Sequence, residues 1–430
     1  MLTSAWKPLR RHKPQRRLWY TDKKFIYVAA GRGSGKSEVM RRRQVRYMLL
    51  KQPGVDQPLH GYALPTFNQA RRVAWEPLKA LIPPRMVSRI SESEMTIETV
   101  YGSKLFVLGM DKPERAEGVQ WSTFVLDESS DQKPGVFDRS ILPALSHHCM
   151  WCARIGVPKR QGPGALEFRE GWEKARDAGE DSDSIALMWP SSDIVDPAVI
   201  EWARLNLDPK DYDEQYNANW HTLGGGVYHA FDEVHNISEV CVYRPSEPIL
   251  VGSDFNVNPM CWVLGHFIGG RLQIFDELHI SDTNTPATLD QLHAKYKDHK
   301  TGWLFTGDAS GKSRKTSSNT SDLALIYNDA RYDPKRVVYP KSNPPISSRI
   351  STVNAALCNA AGERHLLVSP RCTQTIRSFK GLTYKEGKDR VIDESSGLDH
   401  MSDAVGYLTV YCLPIRLNTK IATVSARAPR

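Results

Sequence analysis

The sequence predicts two α/β domains in series, and three observations support this. The chain has 430 residues, which is more than one hydrophobic core usually serves. Between residue 25 and about residue 220, short apolar runs alternate with helical patterns, as in a mostly parallel sheet covered by helices. From residue 248 a second series of apolar runs begins as a β-meander and ends in a helix.

The predicted elements of the first half follow one another without an internal repeat. A helix is expected from Ser37, directly after the first strand and a glycine-rich loop. The predicted strands are FIYVAA (25–30), HGYALP (60–65), KLFVLGM (104–110), STFVLDE (122–128) and CARIGVP (152–158).

The second half contains a hairpin signal, because Gly269–Gly270 separates two apolar runs as a two-residue connection. Its predicted strands are PILVGSDFNV (248–257), CWVLGHFIGG (261–270), RLQIFDELHI (271–280) and WLFTGDAS (303–310), followed by the helix HMSDAVGYLTVYCL (400–413). The glycine run Gly224–Gly226 suggests a linker. The predicted limits are a first domain over 1–220, a linker over 221–245, a second domain over 246–415 and a basic tail over 416–430.

The composition is that of a folded protein, and its positive net charge modestly favours a polyanionic partner. Hydrophobic residues make up 40% and charged residues 25% of the chain, which is too apolar for a disordered protein. The net charge is +8, a balance that suits nucleic acid without requiring it. The seven cysteines form no disulfide framework. The N-terminus lacks the apolar stretch of a secretory signal, and no membrane span is expected.

A phosphate-binding loop is the strongest motif. Residues 30–37 read AGRGSGKS between a predicted strand and a predicted helix, which is the context this loop requires. Backbone N–H groups of the glycines would wrap the phosphates, Lys36 would reach the outer phosphates, and Ser37 would ligate Mg²⁺. Ala30 replaces the first glycine of the strict pattern, and a chance glycine-rich turn is the alternative. The predicted nucleotide-binding residues here are Gly31, Arg32, Gly33, Ser34, Gly35, Lys36 and Ser37.

Asp127 and Glu128 end the strand STFVLDE. Asp127 would hold Mg²⁺ through water, while Glu128 would activate the water that attacks ATP. A solvated strand end is the alternative for the pair taken alone.

Three further positions are candidates for parts of an ATPase. Arg32 and Arg115 could stabilise the charge that develops on the γ-phosphate, although either could be a surface cation. Gln15 could read the adenine edge through its amide, although an exposed glutamine is equally consistent. Val157–Lys159 follows a strand where a sensor coupling hydrolysis to motion could lie.

Acidic residues of the second half are placed as in an RNase H-like nuclease. Asp254 lies on the first strand, Asp308 at the end of a later strand, and Asp403 in the final helix. Phosphodiester cleavage by two metals needs such converging carboxylates, and their oxygen ligands suit Mg²⁺ or Mn²⁺. Glu277 could add a ligand, and His400 could ligate metal or position water. Taken singly, each aspartate could instead be a turn residue or a helix cap.

These motifs in this order resemble the large subunits of tailed-bacteriophage terminases. The loop AGRGSGKS is followed by LDE, DFN, GDA and HMSDAV, and the segments ALPTFNQAR, DEQYNANW and GGGVYHAF also resemble that family. The resemblance covers nearly the whole chain. Carried over residue by residue, it assigns Lys36, Ser37, Asp127 and Glu128 to an ATPase centre. It assigns Asp254, Asp308 and Asp403 to a nuclease centre. Gln15 matches the adenine-reading position loosely, and Val157 stands where the family tends to carry a hydroxyl residue.

The resemblance also implies a RecA-like P-loop ATPase domain followed by an RNase H-like endonuclease domain. Such a protein packages double-stranded DNA into a procapsid at the expense of ATP and cuts concatemeric DNA to begin and end packaging. The implied partners are a small terminase subunit, the portal protein and further copies of the chain in a ring on the portal. The implied place of action is the host cytoplasm, docked on the procapsid and absent from the mature virion.

Two other classes of protein would share part of this pattern. A DNA helicase or repair ATPase fused to a nuclease would carry its extra motifs in a second ATPase-like lobe, and only one such lobe is predicted. A nucleotide-gated binding module would tolerate loss of Glu128 and of the three aspartates, which are all present.

Overall fold

The computed structural model describes residue 6 and residues 11–52, 54–145, 147–221, 226–256, 258–313, 320–385 and 391–415. Gly224 and Gly225 of the predicted linker and the predicted tail lie outside these residues. The chain forms two compact units, residues 1–200 with 213–223 and residues 201–212 with 224–430. The described helices contain none long and apolar enough to cross a membrane.

The first unit is built on an eight-stranded sheet with the order β3-β4-β5-β2-β6-β7-β1-β8. All neighbouring strands are parallel except in the pairs β3–β4 and β4–β5. The five strands predicted from the sequence are confirmed as β1, β2, β5, β6 and β7, whereas β3, β4 and β8 were not predicted. The strands are β1 Phe25–Ala30, β2 Leu59–Leu64, β3 Val87–Ser91, β4 Thr96–Thr99, β5 Lys104–Gly109, β6 Trp121–Leu126, β7 Trp151–Gly156 and β8 Ser184–Trp189.

The second unit is built on a five-stranded sheet with the order β12-β9-β10-β11-β13. The predicted meander β9-β10-β11 is confirmed as antiparallel, and β12 and β13 add to its two edges as parallel strands. Gly269 and Gly270 form the predicted two-residue turn, both with positive φ, as that hairpin connection requires. These strands are β9 Ile249–Asp254, β10 Met260–Ile268, β11 Arg271–Ile280, β12 Trp303–Gly307 and β13 Leu366–Val368.

The α-helices cover the sheets and bury their apolar sides against them. In chain order they are α1 Lys13–Tyr20, α2 Lys36–Met48, α3 Phe67–Gln69, α4 Glu76–Leu81, α5 Ala165–Asp177, α6 Pro197–Asn206, α7 Pro209–Gln215, α8 Glu233–Asn236, α9 Thr285–Lys295, α10 Asp322–Tyr327, α11 Ile346–Leu357, α12 Thr373–Gly381 and α13 Asp399–Cys412. Strands β6 and β7 are buried along their whole length, as expected for parallel strands covered on both faces.

Val227 and Tyr228, which the sequence analysis assigned to the linker, are buried in a core of the second unit. They pack there because α11 and α12 supply the apolar surface, and the backbone N–H of Val227 donates to the Leu382 carbonyl. Folded structure of the second unit therefore begins before the predicted start at residue 246.

Candidate nucleotide site and acidic cluster

The phosphate loop runs from the end of β1 to the start of α2. Gly33 and Gly35 adopt positive φ angles of 70° and 81°, a region that favours glycine. A Cβ at Gly31 would lie 2.3 Å from Ser191 Oγ, so the loop passes too close to Ser191 for a side chain there. Because no side chain caps α2 at Gly35, its first backbone N–H groups remain available to an anion.

Ser37 and Asp127 meet as the sequence predicts for two groups that share one Mg²⁺. The Ser37 hydroxyl donates to Asp127 Oδ1 over 3.2 Å, and the Glu128 backbone N–H donates to the same oxygen over 2.9 Å. Asp127 is buried. The end of β6 is therefore brought to the start of α2 with a fixed carboxylate between them.

Tyr62 is a residue of this site that the sequence analysis missed. Its hydroxyl donates to Asp127 Oδ2 over 2.6 Å, and burial raises the pKa of Tyr62 well above its ordinary value, so the hydroxyl stays protonated. Tyr62 lies in β2, beside Val125 of β6. The sequence did contain one indication of this contact. A tyrosine near the carboxyl end of a buried strand needs a hydrogen-bond partner for its hydroxyl.

Lys36 and Glu128 are charges held in a buried setting. Burial lowers the pKa of Lys36, while Glu128 and Asp127 oppose that change. Burial likewise raises the pKa of Glu128, and Lys36 opposes it. Glu128 also has a positive φ of 50°, an uncommon conformation for a residue with a side chain. The buried Lys36 and Glu128 therefore interact electrostatically near the start of α2.

The predicted arginine candidates are not equally placed. Arg32 is exposed on the loop, and its charge contributes to lowering the pKa of Lys36. The Arg115 guanidinium lies 6.0 Å from the centre of the Phe67 ring. Arg32 is therefore the candidate whose charge acts on this site.

Gln15 donates a hydrogen bond to the backbone of the phosphate loop. It is buried, and its amide nitrogen donates to the Ser34 carbonyl over 2.8 Å. The indole N–H of Trp189 donates to the same carbonyl over 3.1 Å. The amide nitrogen that was expected to read adenine therefore holds the loop backbone in this structure.

The predicted sensor segment is tied to the residues that follow Glu128. Lys159 forms an ion pair with Asp131, at 2.7 Å from Oδ1, and the Ser130 hydroxyl donates to the Val157 carbonyl over 2.6 Å. Lys159 also opposes the raised pKa of Glu128. Two short polar contacts therefore join the end of β7 to the residues that follow Glu128.

The three aspartates of the second unit come together at one end of its sheet. Strands β9 and β12 are parallel neighbours, and the Asp308 N–H donates to the Ser253 carbonyl over 3.0 Å, so Asp308 lies beside Asp254. Helix α13 packs directly on β9, because a Cβ at Gly252 would lie 2.6 Å from the Ala404 carbonyl oxygen. This close approach brings Asp403 to the same end.

Each of these carboxylates already has a partner. His400 Nδ1 lies 3.1 Å from Asp254 Oδ2, and Arg349 Nη2 lies 2.6 Å from Asp403 Oδ1. Asp308 accepts hydrogen bonds from the Ser310 N–H at 2.8 Å and from the Asn343 side-chain amide.

Burial dominates the electrostatics of the cluster. It raises the pKa of Asp254, which His400 opposes. It raises the pKa of Asp403 to about 6, which Arg349 opposes and Asp254 reinforces. Both carboxyls therefore take up a proton more readily than they would in water.

Glu277 caps the start of a helix in this structure, and its metal-binding role stays a prediction. Its oxygens accept from the backbone N–H groups of Gln374 and Thr375 at 2.8 and 2.9 Å and from the Thr375 hydroxyl at 2.9 Å. A carboxylate at a helix N-terminus satisfies free N–H groups and complements the helix dipole. Glu277 therefore fixes the start of α12.

The cluster fits a divalent cation by its chemistry, although its side chains are paired with one another. Within the described residues, no group of three or more His, Cys, Asp or Glu side chains is arranged to hold a metal ion. The donors are nevertheless hard carboxylate oxygens, as Mg²⁺ and Mn²⁺ prefer. Asp399 Oδ1 is buried without a hydrogen-bond partner, and this carboxylate was also missed. Arg349 contacts Asp403 through Oδ1.

These two units together have the fold of the phage large terminases, which confirms the predicted fold class of a RecA-like unit followed by an RNase H-like unit. The large terminase of a thermophilic bacteriophage superimposes with a TM-score of 0.60 over 94% of this chain and 99% of that chain, at 17% sequence identity. The same phage protein in complex with ADP gives a TM-score of 0.57, and in complex with ATP-gamma-S 0.56. Each of these covers 93% of this chain and 98% of that chain, at 18% identity. No protein-family model and no curated protein matches the sequence.

Proposed function

We propose that this chain is the large subunit of a viral terminase, in which ATP hydrolysis by the first unit drives double-stranded DNA into a procapsid. The second unit cuts concatemeric DNA to begin and end packaging. The observation that carries the proposal is the Ser37–Asp127 contact of 3.2 Å beside the phosphate loop, in a chain whose fold matches a large terminase over 94% of its length.

The ATPase half of the proposal assigns a task to each charged group. The loop N–H groups and Lys36 hold the phosphates, and Ser37 with Asp127 holds Mg²⁺. Bound there, Mg²⁺ neutralises charge on the phosphate oxygens. Glu128 orients the attacking water and takes its proton. Arg32 stabilises the charge that develops on the γ-phosphate.

The nuclease half rests on the end of the second sheet. Asp254, Asp308 and Asp403 hold the divalent cations, and His400 positions Asp254 through their 3.1 Å contact. Divalent cations held there would supply an activated water and stabilise the leaving oxygen of the phosphodiester. The three side chains lie on two adjoining strands and one helix, so their spacing depends on how α13 packs on β9.

The partners in this proposal are the small terminase subunit, the portal protein and further copies of the chain arranged as a ring on the portal. The chain acts in the host cytoplasm and leaves the procapsid before the virion matures. Binding of the purified chain to isolated portal, together with ATP hydrolysis stimulated by DNA, would support this part of the proposal. Separation of DNA strands by the chain would favour a helicase instead.

The first experiment is single-turnover ATP hydrolysis by Glu128→Gln. This amide cannot accept the proton from water, so we expect hydrolysis to fall by at least about 100-fold, within the range of general-base contributions, while ATP binding persists. Glu173→Gln on α5 is the matched control and should hydrolyse ATP as the wild type does. Unchanged hydrolysis by Glu128→Gln would remove Glu128 from the mechanism.

The second experiment is plasmid cleavage by the full chain with Mg²⁺, Mn²⁺ or EDTA. We expect cutting with either metal, none with EDTA, and none by Asp254→Ala. Asp298→Ala, which alters an exposed carboxylate of the same unit, should cut normally. Wild-type protein that hydrolyses ATP but cuts nothing with either metal would contradict the nuclease assignment.

A further inference from the structure

Arg349 is a buried cation beside the acidic cluster. It lies on α11 with 3% of its surface exposed, and its Nη2 lies 2.6 Å from Asp403 Oδ1. The guanidinium also lies over the ring of Tyr407 at 4.5 Å from the centre. Its Nε is buried without a hydrogen-bond partner.

Helix α13 is shaped to admit this arginine. A Cβ at Gly406 would lie 2.8 Å from Arg349 Cγ and Cδ, so any other residue at this position would press on the arginine stem. Gly406 and Asp403 are three residues apart and share one face of the helix. The same face of α13 therefore provides both the space and the counter-charge for Arg349.

Packing alone does not account for a cation at this position. Removing a guanidinium from water is unfavourable, and well-packed apolar residues of similar volume are often at least as stable as a buried ion pair. Arg349 lies where three aspartates crowd together, and its charge acts on Asp254 as well as on Asp403. A fixed positive charge here stabilises the cluster when no metal is bound.

We propose that Arg349 is a positioning residue of the nuclease centre, an internal counter-ion that holds Asp403 through Oδ1 and weakens the cluster's affinity for divalent cations. The inference rests on the proposed nuclease function. A fixed positive charge repels an incoming cation, and the Coulomb energy between charges this close in a partly buried site corresponds to a change in affinity of about tenfold or more. Arg349 thereby sets the cation concentration at which the nuclease centre fills.

The test is calorimetric titration of the full chain with Mn²⁺, without nucleotide. Every protein carries Asp127→Asn, so that the nucleotide site does not bind the ion. The protein with this change alone is the parent. We expect Arg349→Met to bind Mn²⁺ at least about tenfold more tightly and to cleave plasmid more slowly at saturating Mn²⁺, because Asp403 is no longer held. Arg349→Lys keeps the charge and should stay within about threefold of the parent affinity.

Thermal unfolding provides a second readout. Without metal, Arg349→Met should unfold at a lower temperature than the parent, and Mn²⁺ should raise its unfolding temperature by more than it raises that of the parent. The matched control is Arg154→Met in the first unit. Arg154 is also a buried arginine, 2.9 Å from Glu167 and over the Phe137 ring, and its loss should reduce stability without changing Mn²⁺ affinity.

The outcomes separate the two proposals. If the parent does not bind Mn²⁺, or binds it no better than its Asp254→Ala variant, the nuclease assignment itself fails. If that binding is present but Arg349→Met binds Mn²⁺ equally or more weakly, the counter-ion inference alone is wrong. Equal tightening in Arg349→Met and Arg349→Lys would also overturn it, because shape and not charge would then control affinity.

Discussion

Tyr62→Phe tests whether the tyrosine missed by the sequence analysis positions the ATPase centre. The substitution keeps the buried ring and removes only the hydroxyl that donates to Asp127 Oδ2 over 2.6 Å. A hydrogen bond to a charged group contributes about 1.5–3 kcal/mol, which corresponds to roughly 10- to 150-fold in an equilibrium constant. Asp127 then keeps its contacts with Ser37 and the Glu128 N–H on Oδ1 only.

The assay is steady-state ATP hydrolysis at increasing Mg²⁺ concentration. We expect the Mg²⁺ concentration for half-maximal rate to rise by about tenfold or more, since the carboxylate that holds the ion is less well fixed. ADP binding without Mg²⁺ should not change. Tyr27→Phe is the control, because Tyr27 lies in β1 of the same sheet and its hydroxyl interacts with Arg154. A Mg²⁺ dependence in Tyr62→Phe within about twofold of the wild type would refute the positioning role.

Two further predictions concern packing and pH. Gly252→Ala should destabilise the second unit by about 1–3 kcal/mol in denaturant titrations, because its Cβ would lie 2.6 Å from the Ala404 carbonyl oxygen; unchanged stability would mean that α13 does not rest on β9. Burial lowers the pKa of His60 to about 3, below its unfolded value, so its contribution to stability is present above about pH 6.5 and is lost as pH falls towards 3. Between pH 7 and pH 5 the first unit of the wild type should therefore lose about 2 kcal/mol more stability than that of His60→Gln, and equal losses would contradict this account.

The parts of the fold that are readable from the sequence are those whose signal is local. FIYVAA, STFVLDE and the Gly269–Gly270 hairpin carry their own pattern of apolar residues and turn residues. The short antiparallel strands β3 and β4 do not, because they have only five and four residues and contain few apolar side chains. Pairing with β5 places β4, and pairing with β4 places β3 at the edge of the sheet.

The residues of the site also divide into those with a local sequence signal and those placed by tertiary contacts. Ser37 and Asp127 are recognisable because each follows a strand in a known context. Tyr62 and Arg349 are not, since each contacts a carboxylate that is distant in the sequence. No local pattern marks Asp399. The helix N-terminus that Glu277 caps could not be predicted from the sequence either, because Gln374 and Thr375 are distant from Glu277 in the chain.

The segment 201–212 belongs to the second unit although the residues on both sides of it belong to the first. It is held there by hydrogen bonds from Asn359 to the Leu205 carbonyl and from the Ala360 N–H to the Leu207 carbonyl, both 2.8 Å. The chain consequently passes between the units three times, after residues 200, 212 and 223. No single cut of the polypeptide therefore separates the two units. A fragment ending at residue 223 would contain residues 201–212 without the contacts that they make in the second unit.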